Sequence, residues 1–540
     1  MKNNFFAKFL FIALFLLFTP KFFFGIFDPE IDPDGPGYPE SCTSIMVGRK
    51  ASVDGSVMTA HSCDGNYRTW LEIVPSQQYE PGTMLPIRWG TLHTETAWDM
   101  KDVTIKGEIP QVEETFAYLN VAYPALNEKQ LAIGETTFNG RRELRNEEGL
   151  FLIEELEKIA LQRCDNAREA IRLMGTLAEE YGYGDWGECI TVADTREVWQ
   201  MEICGSGPGK PSAMWVAQRI PDDHVGISAN IPRISDVDFD DPDYFMYSKD
   251  LKEVAKRTGF WDGEEPFKFW KVINGRKPFA IRDFYVLSTM APSLNLSFEA
   301  EELPFSVKPD RKVSVEDVMA YYRETYEGTP YDMTQNLLVT VTRRDDEGNE
   351  TQEVVKSPIA NPWMNYDMRT LINELKPETI ERQRTIAIAG CSYSHVIQCR
   401  DWLPDEIGAI AWFSFDNPGQ SPRIPIFSGT LHLPESFKIC GQHRYRQDAA
   451  IWSFREANRL ANVNHSRGRA ILEPSVAHFQ QKAMEELPEV ERTAEKMIKA
   501  GKVDEAREYI TAYTNDFATL TMKRWEEHRN ELWHMFGRGF

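Results

Sequence analysis

The chain has no His-Glu-x-x-His and no Cys-x-x-Cys pair, the spacings that bring ligands together on one zinc ion. No glycine-rich loop ends in Lys-Ser or Lys-Thr, so nothing supports nucleotide use. The ten histidines lack ligand spacing, and His395 and His432 read as structural or pocket residues rather than zinc ligands. Positive charge is scarce: 60 Lys and Arg stand against 83 Asp and Glu, a formal net charge of -23. Such a surface repels polyanions on average, which sets nucleic-acid binding aside. Short repeats and low-complexity tracts are also missing. With 540 residues, 42% hydrophobic and 12% aromatic, the chain can bury one large core or two moderate ones.

What is present starts with residues 1–27. Lys2 and Lys8 lead into an apolar run over 9–18, the length of a signal h-region and about half a membrane span. Export to a periplasmic or secreted destination is expected. The small-x-small cleavage pattern is missing, and Phe22 to Phe27 continue the apolar character, so membrane tethering before processing stays open. An acidic, Pro-rich propeptide over 28–41 then leads to Cys42-Thr-Ser-Ile-Met-Val-Gly-Arg-Lys-Ala-Ser-Val-Asp-Gly-Ser56. Cutting between Ser41 and Cys42 makes Cys42 the amino terminus. Its thiol then lies a few bonds from its own α-amine, which titrates at about 7.7 to 8.0. Nucleophile and base in one residue can hydrolyse amides. A lipid-bearing or inert cysteine is the competing reading, but Tyr38-Pro-Glu-Ser41 is not the small apolar set of a lipoprotein signal. Of eight cysteines, a nucleophile leaves an odd number, so at least one more thiol is free. Cys189 and Cys204 flank an expected hairpin turning at 194–197, in diagonal positions that disfavour a bridge.

Thr43, Ile45 and Val47 alternate with Ser44, Met46 and Gly48, followed by Asp54-Gly55 and Val57 to Ala60. This predicts a β-hairpin starting at the nucleophile. A two-residue loop at 54–55 sets Cys42 opposite Tyr67, and a loop over 51–56 sets it opposite Gly65; either returns His61 to Asp64 beside Cys42. Further strands are expected at 130–134, 189–193, 198–203, 225–229, 385–389 and 409–413, with helices at 150–164, 166–181, 250–259 and 314–326. Two batches of strands with helices between them indicate an α+β fold of sheets covered by helices. From about Val476 the periodicity turns helical. A hydrolase domain over 42–475 with a helical extension over 476–540, packed on the core or on a partner subunit, is the expected organisation.

Asp64, opposite a terminal cysteine, is a candidate to hold the α-ammonium, with a surface turn acid as the alternative. Asn230, just ahead of Pro232, and the backbone N–H of Thr137 are candidate donors to an oxyanion. An ordinary turn cap and an ordinary strand end are the alternatives for these two.

The stretch from Cys42 to Ser56 resembles the mature start of the dipeptidase A family of cysteine peptidases, related to the secernins within the N-terminal nucleophile hydrolases. Residues 127–137, 186–194, 227–231 and 412–427 extend the likeness over about 42–427. The resemblance implies an αββα sandwich, hydrolysis of dipeptides or short peptides without cofactor or metal, and activation by removal of the segment before the cysteine. It implies Cys42 as nucleophile, Asp64 as the acid holding its amine, and Thr137 and Asn230 as oxyanion positions. The wider superfamily, with penicillin V acylases and bile salt hydrolases, places Arg-Asn ahead of the Asp, where this chain has His61-Ser62. The usual cation beside the thiol is thus missing or replaced by a titratable group. Arg423 is a candidate to meet a substrate carboxylate or to support the site from outside, with a surface salt bridge as the equal alternative. The expectation is an exported cysteine dipeptidase activated by propeptide removal. An acylase of another linear amide and a non-catalytic exported binding protein are the alternatives. Association of copies through the C-terminal helices is a further expectation.

Overall fold

The computed structural model describes residues 42–537; the expected signal (1–27) and propeptide (28–41) lie outside them. The fold is mixed α and β, consistent with α+β. Seven strands form one sheet in the order Ser306–Val307, Val225–Ser228, Thr43–Val47, Val57–Asp64, Cys391–Cys399, Ile410–Phe415, Ile424–Phe427. Cys42 therefore heads an interior strand. A second sheet of eight strands runs Phe245–Tyr247, Ala213–Ile220, Val198–Gly205, Glu188–Ala193 and Ala132–Thr137, and continues through the short strands Leu126–Asn127 and Tyr118–Asn120 to Glu72–Val74.

Hydrogen bonds tie the two sheets across their interior, between Thr59 Oγ1 and Thr191 Oγ1 at 2.6 Å and between Thr136 Oγ1 and Ser228 Oγ at 2.6 Å. The interior is thus partly polar, and hydroxyls buried there satisfy one another. Helices Ile153–Arg163 and Ala167–Tyr181 pack on the eight-stranded sheet; Ile281–Met290, Val315–Tyr321, Ala450–Ala461 and Val503–Phe536 pack on the other. Ala167–Tyr181 shows why such a segment folds as it does. Asn166 accepts a hydrogen bond from Glu169 N at 3.0 Å as its N-cap, and Ala170, Ile171, Met174 and Ala178 make a buried stripe. Gly175 has to be small, since a Cβ there would lie 2.3 Å from Trp215 Cε2.

The first hairpin forms, but in neither expected register. Thr43 pairs with Ser62 and Val47 with Met58, so the next step sets Cys42 opposite Cys63 rather than Tyr67 or Gly65. The loop is longer because its backbone bonds elsewhere: Lys50 N and Ala51 N donate to Asp222 O at 2.7 and 3.0 Å, and Val53 N to Val313 O at 3.0 Å. Gly48 allows that approach, since a Cβ would meet Asp222 O at 2.5 Å. Asp54-Gly55 only closes the loop, with Ser56 N donating to Asp54 Oδ1 at 3.0 Å.

Residues 385–389 do not form the expected strand. Their groups are used outside a ladder, Thr385 Oγ1 donating to Ala387 O at 2.5 Å and Ala387 N to Glu324 O at 3.0 Å. The neighbouring strand is Cys391–Cys399. Helical structure at the C-terminal end begins at Ala450, and one helix spans His465–Lys499 through Pro474 and Pro488. Position 475 thus lies inside a helix, where Pro474 interrupts the hydrogen-bond ladder that periodicity would suggest. Phe517, Trp525 and Leu532 of the last helix share the main hydrophobic core. All eight cysteines are buried and free, Cys189 and Cys204 among them. No helix among the described residues is long and apolar enough to cross a membrane.

Candidate active site

Side chains alternate along a strand, and the register assigns faces around Cys42. Cys42, Ser44, His61 and Cys63 look toward the eight-stranded sheet; Thr43, Ser62 and Asp64 look away from it. On the first side Ser44 Oγ donates to Glu135 O at 3.0 Å, and His61 Nδ1 lies 2.8 Å from the same carbonyl. The thiols of Cys42 and Cys63 are neighbours. Burial, reinforced by Cys63, Glu135 and Asp64, pushes the Cys42 thiol well above its ordinary value. In this state it is a thiol, and it needs a base before it can attack.

On the second side Asp64 is fully buried. Its Oδ2 accepts from Arg384 Nη2 at 2.7 Å and from Ser62 Oγ at 3.0 Å, while Ser62 Oγ accepts from Thr43 N at 3.1 Å. Among the described residues Asp64 Oδ1 has no hydrogen-bond partner. An unused buried acceptor of this kind costs about 1–3 kcal/mol.

Arg282, fully buried in Ile281–Met290, ties the start of the Thr43–Val47 strand to a candidate oxyanion residue, Asn230. One guanidinium nitrogen donates to Cys42 O at 2.5 Å and Thr43 Oγ1 at 3.0 Å; the other donates to Ala229 O and Asn230 Oδ1, each at 3.0 Å. Asn230 follows the strand end in a left-handed conformation, φ 63°, which Asn tolerates better than most residues. Its Nδ2 donates to Thr137 O at 2.6 Å. Held at both ends, the amide keeps one further N–H for a ligand. Cys42, Asp64, Thr137 and Asn230 thus fall into one assembly, with Thr137 engaged through its carbonyl.

His61 faces the site, but not as the titratable cation expected from the sequence. Desolvation lowers its pKa to about 3, so the ring is neutral at working pH. Nδ1 beside the Glu135 carbonyl carries the proton, which leaves Nε2 with a bare lone pair; Nε2 lies 3.8 Å from Glu135 Oε1. A stability prediction follows from the sign. Unfolded His61 binds a proton near its ordinary 6.5 and the folded ring does not until about 3. Stability is therefore lost as pH falls through that window, by about 1.4 kcal/mol per pH unit for one proton. Chemical unfolding of His61→Gln between pH 4 and 6 should show a slope shallower by about one proton. An unchanged slope would contradict a neutral buried ring.

Arg423 is neither a surface ion pair nor part of this assembly. It is 9% exposed, donates from Nη1 to Trp412 O at 3.0 Å and lies 5.5 Å from the Tyr322 ring. Tyr322 in turn donates to Thr43 O at 2.7 Å, which is the link between Arg423 and the strand. Sequence reasoning missed Arg282, Arg384, Cys63 and Glu135. The available signal was a charged side chain inside an apolar segment, Glu135 among Leu131 to Gly134 and Arg282 beside Ile281 and Phe284, since charges in such places are rarely buried without a purpose. Ligand atoms of Cys42, His61 and Glu135 lie within 4.8 Å of one another. A thiol, an imidazole and a carboxylate suit zinc, and a cation there would occupy the thiol. The three come from separate strands, so no linear spacing could reveal them.

The family model of peptidase family C69 matches residues 41–473. A protein of Latilactobacillus sakei named "Probable dipeptidase" is 26% identical over 89% of this chain and 92% of its own length. "Dipeptidase A" of Lactobacillus helveticus is 23% identical over 85% of this chain and 89% of its own. "Probable dipeptidase" of Salmonella dublin is 24% identical over 74% and 83%.

Proposed function

The chain belongs to peptidase family C69, and on that premise we propose that it is an exported cysteine dipeptidase whose nucleophile is Cys42, released as the amino terminus by removal of the residues before it. The observation that carries this reading is the pairing of a buried thiol at a strand start with the unpartnered Oδ1 of Asp64. The names of the relatives support dipeptides as substrates.

In the proposed reaction the free α-amine of Cys42 takes the thiol proton, and Asp64 holds the resulting ammonium. The thiolate attacks the scissile carbonyl, whose oxygen takes the negative charge and meets the remaining N–H of Asn230. The C–N bond breaks as the ammonium returns its proton to the leaving amine, which departs as the second amino acid. Water then attacks the thioester, giving a proton to the same amine, and the S–C bond breaks to release the first amino acid. Arg282 fixes the Cys42 carbonyl and the Asn230 amide relative to each other throughout.

Several further readings belong to the proposal. Sheets bonded across their interior, with helices on both outer sides, support the four-layer αββα sandwich of N-terminal nucleophile hydrolases. Export rests on the apolar run of residues 9–18, and association of copies on the exposed Leu520, Trp533 and Met535 of the last helix.

Asp64→Asn tests the arrangement. A carboxylate raises the pKa of a neighbouring ammonium, so its loss makes the amine a weaker base that is deprotonated at lower pH. The acidic limb of kcat/KM is expected to move to lower pH while kcat falls by about 10²-fold, within the range of general-base effects. A limb that stays in place would show that Asp64 does not hold the amine.

A further inference from the structure

We propose that the paired carboxyl groups of Glu135 and Glu188 seat the α-ammonium group of the substrate, making a free amino terminus the feature that this site selects. The inference rests on Cys42 as the nucleophile and adds a specificity pocket to it. Thr137 pairs with Glu188 in the ladder, and Glu135 lies two residues before Thr137 on the same face. Both acids are buried, at 0% and 1% exposure, and their carboxyl groups are neighbours.

Four observations point to a missing cation. Among the described residues neither Glu135 oxygen has a hydrogen-bond donor at bonding geometry, and Glu188 Oε2 has none. The nearest ring, His61, is neutral and turns an unpartnered, fully buried Nε2 toward Glu135 at 3.8 Å. Further negative charge acts on the pair, from Asp185 on both acids and between Glu157 and Glu135. Burial pushes both members of the pair upward, because among the described residues neither carboxylate has a cation beside it to offset the loss of water. An ammonium supplies that cation, and its N–H groups match the unused acceptors.

The distance to the nucleophile selects which ammonium. In a dipeptide the α-nitrogen lies about 2.5 Å from the scissile carbonyl carbon, two bonds away. That carbon approaches sulfur at about 3–3.5 Å in a reactive pose. A Glu135 oxygen lies within 4.8 Å of Cys42 Sγ, so a carbonyl poised on the thiol brings its own α-ammonium to the carboxyl pair. An internal peptide bond has an amide nitrogen at that position, which is uncharged and carries the preceding part of the chain.

The test compares alanyl-alanine with N-acetyl-alanyl-alanine on the wild-type enzyme, Glu135→Gln and Glu135→Asp. Wild type is expected to prefer the free amine by at least about 100-fold in kcat/KM, the scale of losing one partner of a buried charge pair. In Glu135→Gln that preference should fall at least about tenfold, mainly through KM, with Glu135→Asp between the two. Competition on the wild-type enzyme, which needs no variant to fold, should show alaninamide inhibiting and N-acetyl-alaninamide not. Equal handling of both substrates by wild type, or an undiminished preference in Glu135→Gln, would overturn the pocket. So would loss of activity in EDTA that zinc restores, since the cation would then be a metal. Iodoacetamide labelling of Cys42 separates the two levels: labelled, inactivated enzyme without amine selectivity refutes only the pocket, whereas active enzyme indifferent to alkylation refutes the nucleophile beneath it.

Discussion

Cys42→Ala is expected to abolish dipeptide hydrolysis, with kcat lowered by at least about 10⁴-fold, as for other enzymes stripped of a nucleophile. The fold should survive. Cys42 precedes the Thr43–Val47 strand, and its carbonyl, which Arg282 holds, is backbone and remains. Removing one buried sulfur should shift unfolding by no more than about 1–2 kcal/mol. Cys42→Ser keeps the α-amine but offers a far less acidic nucleophile, and should retain traces. Activity is read on alanyl-alanine and stability by chemical unfolding. Undiminished turnover in the alanine variant would remove Cys42 from the reaction.

An effect of similar size is expected from keeping the peptide bond before Cys42. A protein starting at Asp28, with Ser41→Pro to hold that bond intact, should be inactive although every residue of the site is present. The reason is chemical: an amide nitrogen has no basic lone pair, so it neither accepts the thiol proton nor supplies an ammonium to Asp64 Oδ1. Burial meanwhile keeps the Cys42 thiol protonated. Mass spectrometry establishes that the bond is intact, and an intact form as active as the mature one would show that the base lies elsewhere.

The parts legible in the sequence are those set by local pattern. Thr43–Val47, Glu188–Ala193 and Val198–Gly205 form as strands where apolar and β-branched residues run together, and Ala167–Tyr181 forms where an Asn cap precedes an apolar stripe. The return of His61 to Asp64 beside Cys42 also followed from the hairpin. What failed depended on distant partners. The hairpin register was set by Asp222 and Val313, far along the chain. Cys391–Cys399 was hidden because Ser392, His395 and Gln398 make an interior strand look polar, whereas the apolar run 385–389, of which Ile386 and Ala387 are buried, has no ladder. Hydropathy reports burial and not backbone geometry, so it favoured the wrong segment.

The candidate site divides in the same way. Cys42 and Asp64 were legible because they lie on neighbouring strands of one hairpin. Asn230 and Thr137 were marked by turn chemistry and resemblance, but the tie between Asn230 and Cys42 comes from Arg282, on a helix 52 residues beyond Asn230. The charge state of His61 was unreadable, because an imidazole takes its pKa from burial as much as from its identity.

The most direct test of the central claim is the amino-terminal mass of the active enzyme, combined with labelling by iodoacetamide. The account predicts that active protein begins at Cys42, with a free α-amine, and that one carbamidomethyl group on that residue accompanies complete loss of hydrolysis. Active protein that retains residues before Cys42, or full activity with Cys42 alkylated, would contradict it.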